Sequence, residues 1–418
     1  MANQFVNNRK LKLIAAYLNE KMPYLKGAGS LFSEAELRGK KTGMTVYGYL
    51  PDSGSVHKGV VASPDKVTEI PVSGIIKNWN TAVETELWDD ILNISDWKEE
   101  ILEKRVQKLA RTAQAEIMQE NMAKSFQIAV SSTPNFEVLT DASSKLDELA
   151  VGGDISLFLR PELHAKIAAT GLAKYIFSNK VAEDLYGKNY LGSYGGADQI
   201  ELALCPVVDT TGADQAPTIS GEIIKDAANN VIGVSEIKEI TGSGTGSIIP
   251  NVPYKLAATI VDQSGMETSQ DFYVIPVTES YYDANGVEQT RVVIPGVRIT
   301  ATGKAYGNPN AVMTAAAIAA ADDGSGNAVF TLTPVLDASS KYDIGQCRTV
   351  RGLSWDQYRW STLAMAKADE VQTFENTTVK AQTGSQILAG VNATRIDLGG
   401  VALLADPRES VTLYIKRA

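Results

Sequence analysis

Two cysteines and two histidines are all that 418 residues offer of the side chains that most often carry redox or metal chemistry. Cys205 and Cys347 are too few for a secreted disulfide scaffold, and a chain of this length builds a core without one. His57 and His164 each lack a neighbouring His, Cys or carboxylate at metal-ligand spacing, so both read as solvated or structural and no metal is expected. Long apolar runs are missing too. The longest uncharged Ala-rich stretch, Ala305 to Ala321, contains Gly307 and Pro309 and falls short of a membrane span. The first thirty residues carry Arg9, Lys10, Lys12, Glu20, Lys21 and Lys26 where a signal peptide would need an apolar core. The expectation is a chain made in a cytoplasm, with no membrane contact. The Asn-x-Ser/Thr triplets at Asn93, Asn376 and Asn392 are then chance matches. Basic charge is in deficit: 39 Lys and Arg against 49 Asp and Glu give −10, which excludes a mainly basic nucleic-acid binder.

Catalytic signatures are equally scarce. Gly39-Lys40, Gly187-Lys188 and Gly303-Lys304 lack the upstream glycine and following hydroxyl of a phosphate-binding loop. No Gly-x-Ser-x-Gly elbow is present. Gly242, Gly244 and Gly246 lack the strand-to-helix setting of a phosphate cradle and read as a loop. Asp322-Asp323-Gly324 does not continue into a calcium loop. The sequence therefore predicts a protein that is not an enzyme, with no catalytic, metal-binding or cofactor-binding residues and no cofactor.

What the chain does contain is a sharp partition of charge. Residues 206–345 hold seven Lys/Arg and sixteen Asp/Glu, a net of −9, and the remainder holds 32 and 33, a net of −1. All five tryptophans (Trp79, Trp88, Trp97, Trp355, Trp360) lie outside the acidic third. This pattern predicts an acidic insertion domain at 206–345 within a near-neutral body. Cys205 and Cys347 flank it, and two buried thiols are the favoured reading over a functional pair. Short runs rich in Val, Ile, Tyr and Thr make the insert all-β: Thr218–Ile224, Val231–Ile240, Tyr254–Val261, Phe272–Thr278, Arg291–Ile294, Val297–Thr302 and Val329–Leu332. Asn285-Gly286 signals a two-residue hairpin turn, and the strand spacing favours a small barrel or sandwich.

The body opens with an arm, 1–41, of eight Lys/Arg and three Glu. Its helix candidate, Asn8 to Met22, has Leu11, Ile14, Ala15 and Leu18 on one face and is stopped by Pro23. Residues 42–66 read as an extended hairpin loop, with Val46, Tyr47, Tyr49 and Leu50 running out and Val56 to Val61 running back. A lone hairpin is marginal in water and needs another surface to lie on. Arg9, Lys10, Lys12, Tyr47, Tyr49, Val56 and Lys58 are accordingly the candidate subunit-interface residues. Residues 67–134 hold a strand, Val67–Trp79, and a long helix opened by the Asp96/Glu99 capping box. Its spacing through Trp97, Ile101, Val106, Leu109, Ala113 and Ile117 continues to Phe126 and Ile128, a rod of about 45 Å. Residues 135–205 mix a strand at Ile155–Leu159, a helix from Pro161 to Ala169 and a strand at Ile200–Leu204. The tail, 346–418, reads as β at Thr377–Lys380 and Val411–Ile415.

The order of these elements, with the stretch Val67–Phe126, the Cys205-Pro206-Val207 entry to the insert and Gly390-Val391-Asn392-Ala393-Thr394-Arg395, resembles the major capsid protein of tailed bacteriophages. That family has the Hong Kong ninety-seven fold, and the sequence is similar in particular to the coat protein of the short-tailed Salmonella phage type, which carries a β-barrel insertion domain. The resemblance implies an α+β subunit with an N-terminal arm (1–41), an extended hairpin loop (42–66), a peripheral domain with a spine helix (67–134), an apical domain in two parts (135–205 and 346–418, the latter returning to the peripheral domain) and the β insert (206–345). It further implies self-assembly through pentamers and hexamers into an icosahedral shell, first as a procapsid. A scaffolding protein and a portal would be partners, double-stranded DNA would be contacted without sequence specificity, and the virion capsid would be the final location after assembly in a bacterial cytoplasm. An encapsulin-type nanocompartment shell is the alternative on the same architecture; a phage adhesin or decoration module is the alternative from another class.

Overall fold

Strand alternation and partner availability decide most of the architecture, as seen in a computed structural model that describes residues 22–26, 28–32, 37, 43–51, 69–86, 103–174, 193–194, 197–282, 288–301, 310–362, 371–374, 377–380, 391–404 and 406–417. The protein is α+β, with few helices and many strands. It divides into two units, one drawn from Met1–Gly48, Val72–Ile117 and Ser354–Leu403, the other from Tyr49–Pro71, Met118–Leu353 and Leu404–Ala418.

The first unit is built on a three-stranded antiparallel sheet. Val391–Leu403 lies centrally between Ser354–Thr362 and Lys77–Glu86. Gly400 is required at its centre: a Cβ there would meet the Trp355 indole at 2.4 Å. That indole sits 6.4 Å from the Trp79 ring. The helix Glu103–Lys124 runs through this unit as far as Ile117, burying Val106, Leu109, Ala110, Ala113 and Ile117. Glu116 fixes it to the strand Lys77–Glu86, accepting from Trp79 Nε1 at 2.6 Å and Lys77 Nζ at 2.8 Å. At 22 residues the helix spans about 33 Å. Its expected start, Asp96 to Ile101, lies outside the described residues, as does the N-terminal helix candidate from Asn8 through Lys21. Pro23 opens a one-turn helix, Pro23–Lys26, where a missing N–H costs nothing.

The long helix ends at Lys124 rather than continuing to Phe126 and Ile128. Gln127–Ser131 is instead an edge strand, parallel to Ser410–Lys416. Short apolar runs fit either period, and here the sheet supplied the partner.

In the second unit that strand belongs to a seven-stranded mixed sheet in the order Gln127–Ser131, Ser410–Lys416, Lys341–Thr349, Ile155–Leu159, Ala197–Glu201, Ser193–Tyr194, with Val207–Asp209 also paired to Lys341–Thr349. Two helices accompany it. Phe136–Glu148 buries Val138, Leu139, Ala142 and Leu146, and Pro161–Lys174 buries Leu163, His164 and Ile167. The central strand Lys341–Thr349 is buried almost throughout although it carries Asp343, Gln346, Arg348 and Thr349. These side chains have partners, as burial demands. Asp343 accepts from Arg417 Nε at 3.0 Å, and Gln346 donates to Ser410 Oγ at 2.7 Å. Arg348 lies 4.8 Å over the Phe158 ring, and Thr349 donates to Glu409.

Between Thr218 and Pro334 the chain builds a second sheet. Tyr254–Val261, Asn310–Met313, Val297–Ala301, Val231–Ile237 and Thr218–Lys225 are neighbours in that order. The segment from Asn327 to Pro334 pairs with Thr218–Lys225 through its first half and with Tyr254–Val261 through its last two residues. These pairings close a ring, and Glu267–Val274 adds to its outside edge on Tyr254–Val261. Period-two burial fills the interior: Tyr254, Leu256, Ala258 and Ile260 from one strand, Val297, Ile299 and Ala301 from another. The Ala-rich stretch contributes a short helix, Ala315–Ala320, capped by the Thr314 hydroxyl, which accepts from Ala317 N. The ring lies inside the expected insert limits; Val207–Asp209 and Lys341–Thr349, which contain the flanks near 206 and 345, belong to the body sheet. The hairpin Val277–Tyr282/Glu288–Val293 forms, but with Tyr282 opposite Glu288. Asn285-Gly286, where the two-residue turn is expected, lies outside the described residues.

Candidate assembly surface

From Thr45 to Tyr49 the strand Thr45–Pro51 alternates. Val46 and Gly48 face inward while Tyr47 and Tyr49 are 60% and 59% exposed. Val46 joins Phe32, Leu37, Ile76, Val401 and Leu403 in a small core, with Leu31 and Val72 against it. Among the described residues the partner strand is Glu69–Ile75, and Gly43 N to Ile76 O (2.8 Å) and Ile76 N to Met44 O (3.0 Å) fix the pairing; the expected return strand, Val56 to Val61, lies outside the described residues. Val72 and Ile76 explain the pairing, because only a strand that carries them can share that core. On the outward side Ile75 is 52% exposed, and Met44, just before the strand, is 46% exposed. A two-stranded ribbon with a polar inner half would be unremarkable; this one turns two tyrosines and an isoleucine to solvent, more than scattered surface apolar residues explain.

The N-terminal segment beside the ribbon is held by one carboxylate. Asp356 accepts from Ser30 Oγ, from Leu31 N at 3.1 Å, from Phe32 N at 3.2 Å and from Ser354 Oγ at 2.8 Å. Gly29 bridges to Ser354, and Trp355 N donates to Gly29 O at 2.9 Å. Nothing local in the sequence marks Asp356, since its partners in this segment are more than three hundred residues away.

Of the sequence-derived interface residues, the structure places Tyr47 and Tyr49 on this exposed face. Arg9, Lys10, Lys12, Val56 and Lys58 lie outside the described residues, as does His57. Ile75 completes the apolar face; the alternation that exposes Tyr47 is legible in the sequence, the identity of the paired strand is not.

The remaining chemistry-bearing residues are occupied structurally. Both thiols are free and buried, and burial pushes each up to about 12, so neither is a reactive nucleophile. His164 is not solvated: it is buried, with Nε2 2.9 Å from Gln199 Oε1 and Nδ1 2.7 Å from the Glu201 carboxylate. The Gly242–Gly246 loop wraps a buried carboxylate. Asp214 accepts from Ser243 N and Oγ and from Ala216 N. Burial alone would raise this carboxyl, but the hydrogen bonds together outweigh it and hold the group below the usual carboxylate range. A Cβ at Gly246 would meet the Asp214 backbone at 2.8 Å. Asp322 and Asp323 accept from the backbone N–H groups of their own turn, Gly324, Ser325 and Gly326.

No family model matches the sequence, and no curated protein matches it either. Among solved structures the chain is similar to one from Mycobacterium phage Che8, at 6% identity over 94% of this chain and 90% of that one, with a TM-score of 0.43. It is similar to the capsid structure of Cyanophage P-SCSP1u at 10% identity, 93% and 90% coverage and a TM-score of 0.40. A virus-like particle from Pyrococcus furiosus is similar at 9% identity, 97% and 98% coverage and a TM-score of 0.38.

Proposed function

We propose that the chain is a major capsid protein, a structural subunit that assembles with copies of itself into an icosahedral shell around double-stranded DNA. The observation that carries this reading is the outward apolar face of the ribbon, Tyr47, Tyr49 and Ile75, on an element too thin to be stable alone. Its occupant in this reading is a neighbouring copy, in pentamers and hexamers, where each modest contact gains strength from repetition. A near-neutral body suits sequence-blind contact with DNA whose charge small cations neutralise. The −9 of the insert suits an outer position, where like charges keep shells apart. The basic segment 1–41 is the part proposed to meet a scaffolding partner.

The test is assembly of the purified chain, followed by sedimentation velocity and negative-stain microscopy. Closed polyhedral particles are expected, and the Tyr47→Ser/Tyr49→Ser variant is expected to remain folded but stay in small species. A wild-type chain that stays monomeric from micromolar to near-millimolar concentration overturns the reading. Particles filled with protein and devoid of nuclease-protected DNA after expression in a phage-infected host identify a nanocompartment instead.

A further inference from the structure

A cavity of about 210 Å³ opens between the helix Phe136–Glu148 and the barrel's outer strand Glu267–Val274. Asp141, Glu148 and Asp271 line it, against one cation, Lys145. That lysine is already committed, donating to Ile128 O at 2.6 Å and lying 3.6 Å from Asp141. Burial, with the Asp271 and Asp141 carboxylates beside it, pushes the Tyr273 phenol upward. The second observation is Gln127. It is 1% exposed and lines the cavity, and neither its amide oxygen nor its amide nitrogen has a hydrogen-bond partner among the described residues. An amide buried in this way is destabilising unless something entering the site pairs with it.

The chemistry of the wall limits what can enter. The lining carries a net charge of −2; Lys255 pairs with Asp271 at 2.7 Å and neutralises one of these charges, and Glu148 accepts from Gln270, so the wall stays net negative and the occupant is cationic. Among the described residues no three His, Cys, Asp or Glu side chains converge to hold a metal ion, so the carboxylates are spread rather than chelating. The cavity holds the volume of about seven waters at ~30 Å³ each, enough for a short alkyl chain. We propose that this cleft is a binding site for an alkylammonium chain, whose N–H donors reach separately to Asp141, Glu148 and the Gln127 oxygen. Two sources share this chemistry, a free polyamine and a lysine side chain of a second copy. The site is independent of the shell reading, because it lies wholly within one unit of one chain.

The experiment is isothermal titration calorimetry of the full chain with spermidine, at low salt and at 150 mM salt, with magnesium chloride as the reference cation. Saturable one-site binding of spermidine, absent for magnesium, is expected. The Asp141→Asn/Glu148→Gln variant should weaken it at least tenfold, and Gln127→Met should weaken it while leaving magnesium behaviour unchanged. Asp141 is a surface carboxylate, so Asp141→Asn alone keeps the test valid should the double variant not fold. If the natural occupant is a lysine of a second copy, spermidine will bind and also dissociate oligomers in sedimentation velocity; if it is a free polyamine, the oligomeric state will not move. No saturable heat up to millimolar spermidine, or equal binding by the carboxylate variants, overturns the proposal.

Discussion

Phe272 gives the sharpest test of how the barrel relates to the body sheet. Its side chain is fully buried on the barrel's outer strand, and its ring lies 4.4 Å from that of Phe126, which follows the long helix. The neighbouring backbone is joined as well, with Tyr273 N donating to Phe126 O at 3.1 Å and Gln263 N to Leu149 O at 3.2 Å. Phe272→Ala removes a buried ring, at a cost of about 3–5 kcal/mol. Part of that loss belongs to the barrel's own interior and part to the contact with Phe126. A double-mutant cycle with Phe126→Ala separates them. A ring pair at this spacing contributes about 0.5–1.5 kcal/mol beyond its buried area, so the two substitutions should be non-additive by about 1 kcal/mol, roughly a fivefold change in an equilibrium constant. Urea unfolding of the four proteins, followed by far-UV circular dichroism, reads this, because the barrel and the body sheet hold most of the strands whereas all five tryptophans fall in the other unit. Additivity within about 0.3 kcal/mol would refute the docking and make the barrel a tethered, autonomous module.

Two further outcomes follow from the buried carboxylates. Burial raises Glu409 above the ordinary glutamate value, against the Thr349 hydroxyl that lowers it, with Asp406, Arg351 and Arg408 nearby and Gln263 Nε2 at 3.2 Å. A raised folded-state value means that its protonated form is favoured on folding, so its contribution is present below the unfolded value near 4.5 and is lost as pH rises through the folded value. Glu409→Gln should therefore flatten the stability-against-pH curve just above that value; an unchanged curve from about pH 4 to 7 would remove the assignment. Asp356→Ala strips the acceptor from Leu31 N, Phe32 N and two serine hydroxyls and should cost about 1–3 kcal/mol. Limited proteolysis should then cut near residues 28–32 faster than in the wild type, and equal rates would show that the segment is held by other contacts.

The sequence is most legible where one face of a strand is buried. Tyr254–Val261 can be read to the residue, and Val297–Ala301 nearly so, because inward Tyr, Leu, Val and Ile alternate with outward polar residues. Tyr47 and Tyr49 stand out for the same reason. Legibility fails where both faces are covered. Lys341–Thr349 is invisible as a strand because Asp343, Gln346 and Arg348 look solvated until Arg417, Ser410 and Phe158 are placed around them. It fails again for pairing partners, since neither the partner of Thr45–Pro51 nor the register of Val277–Tyr282 is written locally. Gln127 reads as helix continuation in the sequence, and its isolation becomes visible only once the barrel's outer strand is set beside it.

The way the chain leaves and re-enters the body sheet has a consequence for how such a protein changes over generations. Val207–Asp209 departs and Lys341–Asp343 returns as hydrogen-bonded neighbours, with Asp209 opposite Lys341 and Thr210 N bonded to Ser340 O. Both stems are zipped together before the excursion begins, so whatever is spliced between them needs only two adjacent ends. A foreign domain with closely spaced termini could be grafted there without breaking the sheet, and the toll of the exchange would fall on the uncovered Phe126 rather than on the connectivity of the host.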